Sequence, residues 1–216
     1  MIITGKDDKE HLDNLEEVLK RLQANGLWAN REKCKFFQMK ITYCGNEVDR
    51  HILHKTQKKI HAVVSAPRPE NVQQLHSFLG LVNYYHKFLP NLATTLNPLN
   101  GLLEQGKRWK WTTECEEAFH SVKKLITSDM VLTHYGPVRP LRLACDASPV
   151  RIGAVFSHIM EDGSEWPIAF ASRTLTKTER NYSQIDKEAL ALVWGVKKFH
   201  LYLFGRHSHL WQVMSP

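Results

Sequence analysis

The order of apolar and polar positions divides the chain into segments of different period. Between Asp7 and Gly26, Leu12, Leu15, Val18, Leu19 and Leu22 recur at helical spacing, with Asp7 or Asp8 able to cap the start and Asn25-Gly26 to stop it. "LWANREKCKFFQMKITYCGNEVD" is rich in aromatic and β-branched residues and predicts two short strands with a tight turn near Gly45-Asn46. Pro67 and Pro69 in "SAPRPEN" then mark a candidate boundary. Helical period returns in "NVQQLHSFLGLVNYYHKFLP", with Asn71 and Gln74 at capping-box spacing, Val72, Leu75, Phe78, Leu79 and Val82 as the inward stripe, and Pro90 ending the run. A further helix is expected in "LATTLNPLNGLLEQ". In "KRWKWTTECEEAFHSVKKLIT" a Thr113-x-x-Glu116 capping box opens a helix with Ala118, Phe119, Val122, Leu125 and Ile126 inward.

After "HYGPVRP" the period shortens. "LRLACDA", "IGAVFSHIM" and "WPIAFASR" predict an antiparallel meander. The following "NYSQIDKEALALVWGVKKFHLYLFG" predicts one long helix stopped by Gly205, with Ile185, Ala189, Leu192, Val193, Val196 and Phe199 inward. "RHSHLWQ" alternates and can pair at the open edge beside the first strand of the meander. Strands followed by a helix that must cover them give an α+β fold with a mixed sheet.

A chain of 216 residues allows one large or two small domains, and 43% hydrophobic content is enough to build their cores. No apolar stretch approaches the roughly 18 residues of a membrane span, and "MIITGKDDKEHL" does not read as a signal peptide. Cys34, Cys44, Cys115 and Cys145 form no CxxC pair, as expected of reduced thiols in an intracellular protein. His51, His54 and His61 lack a cysteine or acid to complete a tetrahedral metal set. A formal charge of +7 favours a polyanionic partner, nucleic acid ahead of an anionic membrane, although a solvated basic surface has the same composition. The polar face of the "NVQQLHSFLG" helix, with His76, Asn83, Tyr84, His86 and Lys87, suits either reading.

Carboxylates supply the candidate chemistry. Asp146 ends a strand-like run, a position where Asp is also an ordinary turn residue. Glu188 and Asp186 lie on opposite flanks of the inward stripe of the last helix, and geometry barely separates them. Clustered acids repel unless a divalent cation sits between them, and carboxylate oxygens suit Mg²⁺. Two such ions about 4 Å apart can activate water and stabilise the leaving oxygen in phosphodiester cleavage.

"DASPVRIGAVFSH", "PIAFASRTLTKTERNYSQIDKEALALVW" and "FHLYLFGR" resemble the ribonuclease H domain of Ty3/Gypsy-type retrotransposon polyproteins. "KCKFF", "YCGNEV", "APRPENVQQLHSFLGLVNYYHKFLPNLA" and "WKWTTECEEAF" resemble the end of the reverse transcriptase palm, the thumb and the join to ribonuclease H in the same polyproteins. The resemblance implies that Asp146 and Glu188, rather than Asp186, are catalytic acids and ligands of Mg²⁺, with Mn²⁺ as the second candidate. It implies an RNA–DNA hybrid as partner. Tyr43 and Gly45 would belong to the hairpin that grips the primer strand. Asn83, Lys87 and the Tyr84-Tyr85 pair would lie near the nucleic acid in the thumb.

It also implies three regions: the palm end (1–66), the thumb and joining segment (67–137), and an incomplete ribonuclease H-like domain (138–216). Several positions depart from the family pattern. His86 replaces an arginine, Arg151 a glycine, and Cys44 and Asn46 a leucine and a histidine. "MIITG" resembles the residues just after the polymerase YxDD loop, and "GRHSHLWQVMSP" stands where a Thr-Asp-His strand would carry a third acid. The expectation is a reverse transcriptase–ribonuclease H fragment lacking the polymerase loop, with an incomplete nuclease site. The alternative is a catalytically inactive nucleic-acid-binding or interaction protein.

Overall fold

The computed structural model describes residues 1–104, Gly106 and 108–212. The chain forms two compact units, Met1–Met39 and Lys40–Pro216. In the first, α1 (Asp8–Ala24) starts where the Asp7 carboxylate accepts the Glu10 N–H at 2.9 Å, and ends as Asn25 turns back onto the Arg21 and Leu22 carbonyls. Its Glu16–Lys20 and Glu17–Arg21 pairs, each 2.7 Å, add a few tenths of a kcal/mol apiece, about 0.2–0.5. None of its residues is buried in this unit.

The second unit contains two sheets, each with its own core. The first sheet runs β1 (Ile41–Tyr43), β2 (Asn46–Val48) and β3 (Ile52–Lys55) as an antiparallel meander. The turn between β1 and β2 falls on Cys44-Gly45, at φ 44° and 67°, one residue earlier than the sequence suggested. A short helix, α2 (Gln57–Val64), follows β3. Then comes α3 (Val72–Asn83), whose Asn71 cap accepts the Gln74 N–H at 2.9 Å while Gln74 accepts the Glu70 N–H at 2.8 Å. Leu75, Phe78, Leu79 and Val82 are buried as expected, but Val72, in the first turn, is 43% exposed.

Pro90 is followed by two short helices, α4 (Leu92–Thr95) and α5 (Asn97–Gly101). In α6 (Thr113–Ile126) the cap is Thr112, not Thr113, and Glu116 instead accepts the Trp111 indole N–H at 2.5 Å. Phe119 of α6 packs between Phe78 and Trp111, at centroid distances of 4.7 and 5.9 Å. β4 (Leu132–Thr133) then pairs with β3 and completes the first sheet in the order β1-β2-β3-β4.

The second sheet has the order β7-β6-β5-β8. β5 (Leu141–Ala147), β6 (Arg151–Ile159) and β7 (Glu165–Thr174) form the expected meander. Pro167, which has no N–H, sits on the edge strand β7 opposite Ser157, where a bulge interrupts the register. A bidentate Arg173–Glu179 ion pair, both contacts 2.8 Å, fixes the loop leading into α7 (Gln184–Lys198). The arginine and the Thr176 N–H hold the Glu179 carboxyl at a pKa of about 2. After α8 (His200–Leu203) and Gly205, β8 (Ser208–Gln212) pairs with β5 in parallel, from Leu141↔Ser208 to Cys145↔Gln212.

The inward face of α7 differs from the one expected. Phe199 is buried and Leu192 packs against the core as expected, but Lys187, Ala191 and Gly195 take the other sheet-facing positions, whereas Ile185 is 77% and Val193 52% exposed. Small residues win the sheet-facing positions because the helix lies so close. A Cβ on Gly195 would stand 2.6 Å from Cys145 Sγ. Lys187 reaches its buried place through its aliphatic stem. Phe199 stacks on Phe156 of β6 at 5.1 Å.

Among the described residues all four cysteines are free thiols, and no helix is long and apolar enough to cross a membrane.

Candidate nucleic-acid interface and carboxylate pair

The β1–β2 turn is held from below by a buried hydroxyl network. Gly45 O accepts both Thr56 Oγ1 and Tyr85 Oη, each at 2.9 Å. Tyr85 Oη also accepts the Thr56 N–H at 3.1 Å and lies 2.8 Å from Thr56 Oγ1. The two hydroxyls have two protons for three contacts, so at any moment one of the three is without a hydrogen. Tyr85 is fully buried, with its ring edge-on to Tyr84 at 4.9 Å and to Phe88 at 5.8 Å.

Above the network the surface is basic and aromatic. Lys59 Nζ lies 3.3 Å from the Tyr84 ring centroid, a cation–π contact worth about 0.5–1 kcal/mol at an exposed site. Both groups crowd the turn. A Cβ at Gly45 would meet the Tyr84 hydroxyl at 2.5 Å and Lys59 Nζ at 2.7 Å, so glycine is required there by space as well as by its positive φ. Asn46 donates to Cys44 O at 3.2 Å, while its Oδ1 is buried without a partner.

The expected contact residues fall into two groups. Gly45 and Tyr84 meet at the turn, with Tyr43 on the adjoining strand end and 45% exposed. Asn83 is exposed at the end of α3, where the His86 ring meets its carbonyl at 2.9 Å. Lys87 is half-buried in the 3₁₀ turn that follows, and burial lowers its ammonium pKa. Thr56 and Lys59 did not stand out in the sequence. Their one signal is the basic, Thr-led run "TQKK" directly after a strand.

The carboxylates sit at the other sheet. The odd residues of β5 (Leu141, Leu143, Cys145 and Ala147) are buried, and Cys145 and Leu143 face Gly195 of α7. Alternation therefore turns Asp146 to the opposite face, in one row with Gly153 and Ser172. Asp146 stands one residue past Cys145, the partner of Gln212, near the C-terminal end of β5, the kind of strand end where ligand crevices form in mixed sheets. Glu188 approaches the same end from the helix side. Gln184 Nε2 donates to Ala147 O at 3.0 Å and to Glu188 Oε1 at 3.2 Å, linking the α7 carboxylate to the residue next to Asp146. Glu188 is tied to the end of β5 through Gln184, whereas Asp146 lies on the face of the sheet turned away from α7.

Arg151 sends its guanidinium to Asn91 Oδ1 at 2.8 Å. Among the described residues no group of three or more His, Cys, Asp or Glu side chains is placed to hold a metal ion, His51, His54 and His61 included. His54 pairs instead with Asp49 at 3.1 Å. As donors, two carboxylates fit Mg²⁺, which commonly takes one or two from the protein and completes its shell with water and substrate phosphate.

Residues 111–210 match the RNase H-like domain found in reverse transcriptase. The Tf2-3 and Tf2-4 transposon polyproteins of Schizosaccharomyces pombe are each 34% identical over 203 residues, covering 94% of this chain. The chain spans 15% of the length of those homologues. The foamy viral protease-reverse transcriptase in complex with RNA/DNA hybrid superposes with a TM-score of 0.83 at 23% identity, covering 99% of this chain and 29% of that one. The same viral protein in complex with dsDNA gives 0.81 at 23% identity, covering 98% and 44%. The fold is thus similar to that of the foamy viral protease-reverse transcriptase, and residues 111–210 match an RNase H-like domain within it.

Proposed function

We propose, for a chain whose residues 111–210 match the RNase H-like domain found in reverse transcriptase, that it holds an RNA–DNA hybrid across the β1–β2 turn and the end of α3. The observation that carries this reading is the buried Gly45–Thr56–Tyr85 network, which makes one surface of two elements distant in sequence. That surface presents Tyr43, Lys59, Asn83, Tyr84 and Lys87, the mixture of aromatic platforms and cations that suits stacked bases and phosphates. The net charge of +7 and the hybrid bound by the foamy viral neighbour support it.

Asp146 and Glu188 are the ligands of Mg²⁺ in this reading, with Mn²⁺ as a substitute. The ion would supply a polarised water and charge stabilisation at the scissile phosphate. Gln184 orients Glu188, and the end of β5 sets the direction of Asp146. With two carboxylates at that end among the described residues, the chain by itself binds hybrid without turning it over. The region derives from the polymerase and ribonuclease H part of a Ty3/Gypsy-type element and works inside the cell.

The test is fluorescence anisotropy of a labelled RNA–DNA hybrid across a salt series. Each neutralised phosphate contributes a slope of roughly −0.9 in log K against log salt. Lys59→Ala and Lys87→Ala are each expected to reduce that slope by about 1. Binding that ignores salt, or no binding at low ionic strength, contradicts the reading.

A further inference from the structure

We infer that Tyr85 is a positioning residue for the hybrid: its hydroxyl, which touches no solvent, fixes the Cys44-Gly45 turn against α3. The turn is strained in a way that needs such a fastening. Cys44 is a non-glycine residue at φ 44°, a strained conformation that persists only where its surroundings hold it in place. The β1–β2 ladder is three residue pairs long and cannot enforce it alone. The enforcement comes from Gly45 O, the carbonyl at the tip, which is held by the two hydroxyls of Tyr85 and Thr56.

Tyr85 adds a further link, because its neighbours Tyr84 and Asn83 belong to the proposed contact surface. The hydroxyl therefore sets the spacing between the turn and the α3 end, which an exposed phosphate contact could not do. Tyr84 and Lys59 close over the same glycine from outside.

This inference rests on hybrid binding at that surface, and the experiment separates the two. Tyr85→Phe keeps the ring and its packing on Tyr84 and Phe88 while deleting the hydroxyl. Anisotropy with the labelled hybrid should show about five- to tenfold weaker binding, the factor one buried hydrogen bond is worth, with an unchanged salt slope because no phosphate contact is lost. Amide exchange of the turn (residues 43–46) should accelerate in the free variant while the α3 core stays protected. Thr56→Val should show the same loss, and the double variant little more than either single change.

Tyr85→Phe with wild-type affinity overturns the positioning role and leaves the binding surface standing. A salt slope lowered by about 1 means that the hydroxyl touches phosphate directly, which also overturns it. Absence of hybrid binding by the wild-type chain overturns the surface itself, and the role of Tyr85 with it.

Discussion

Gly195→Ala sets two effects of similar size against each other. Glycine inside a helix is about 1 kcal/mol worse than alanine, so a substitution at the solvent face of α7 would stabilise the protein. Gly195 is buried against β5, and the added Cβ falls 2.6 Å from Cys145 Sγ, with Ala154 Cβ and Leu143 Cδ2 each at 3.5 Å. Real carbon–sulfur contacts do not come that close. Cys145 is 1% exposed, leaving its thiol no free direction, and overpacking of this kind costs about 1–3 kcal/mol.

The net expectation is destabilisation of about 1 kcal/mol, or more if α7 must lift off the sheet. Cys145→Ala removes the sulfur and costs about 1 kcal/mol by itself. In that background the methyl at position 195 has room, and the helix-propensity gain is realised. Gly195→Ala should therefore change sign across the cycle, with a coupling of at least about 1 kcal/mol. Urea unfolding of the four proteins, followed by far-ultraviolet circular dichroism, measures it. A substitution that stabilises in both backgrounds would refute the close approach of α7 to β5, and with it the route by which Glu188 reaches the end of β5.

Acid should loosen the β4–β5 connection through His158, which is fully buried, accepts the Gly136 N–H on Nε2 at 2.9 Å and pairs with Pro140 O through Nδ1 at 3.0 Å. Burial first, then the charges of Arg139 and Arg206, hold its pKa below the ordinary 6.5, so the unfolded chain takes the proton more readily. Its stabilising contribution is complete above pH 6.5 and declines as pH falls below that value. Denaturation midpoints at pH 7.5 and 5.5 should differ more for the wild type than for His158→Gln, and equal differences would contradict the assignment. In a cleavage assay on labelled hybrid, the chain alone should show no turnover in Mg²⁺ and traces at most in Mn²⁺, with Asp146→Asn and Glu188→Gln as controls. A two-metal site short of one ligand loses three or more orders of magnitude in rate, so robust Mg²⁺-dependent cutting abolished by both changes would overturn the inactive reading.

What the sequence revealed depended on how local the signal was. The meander of β5 to β7, the pairing of the last alternating run with β5, and the Asn71 and Asp7 caps rest on short-range pattern or on one side chain, and all are present. The inward face of α7 misled because hydrophobicity favours Ile185, Val193 and Val196, whereas a helix pressed onto a sheet selects small residues, Ala191 and Gly195. β3 and α2 escaped notice in a histidine- and lysine-rich stretch without clear alternation, since their cover comes from β4 and α3. Thr112 and Thr113 are indistinguishable as caps until the helix exists. Gly45, Tyr84 and Lys87 were readable as candidate contacts through resemblance. The inward turn of Tyr85 was not, because its hydroxyl partners are 29 and 40 residues away in sequence.

Hydrogen-exchange mass spectrometry of the chain with and without a short RNA–DNA hybrid shows whether the face made by the β1–β2 turn and the end of α3 receives the hybrid. Exchange should slow in peptides covering residues 43–46 and 83–87, with α6 unaffected. Slowed exchange elsewhere with these two segments unchanged would contradict that placement.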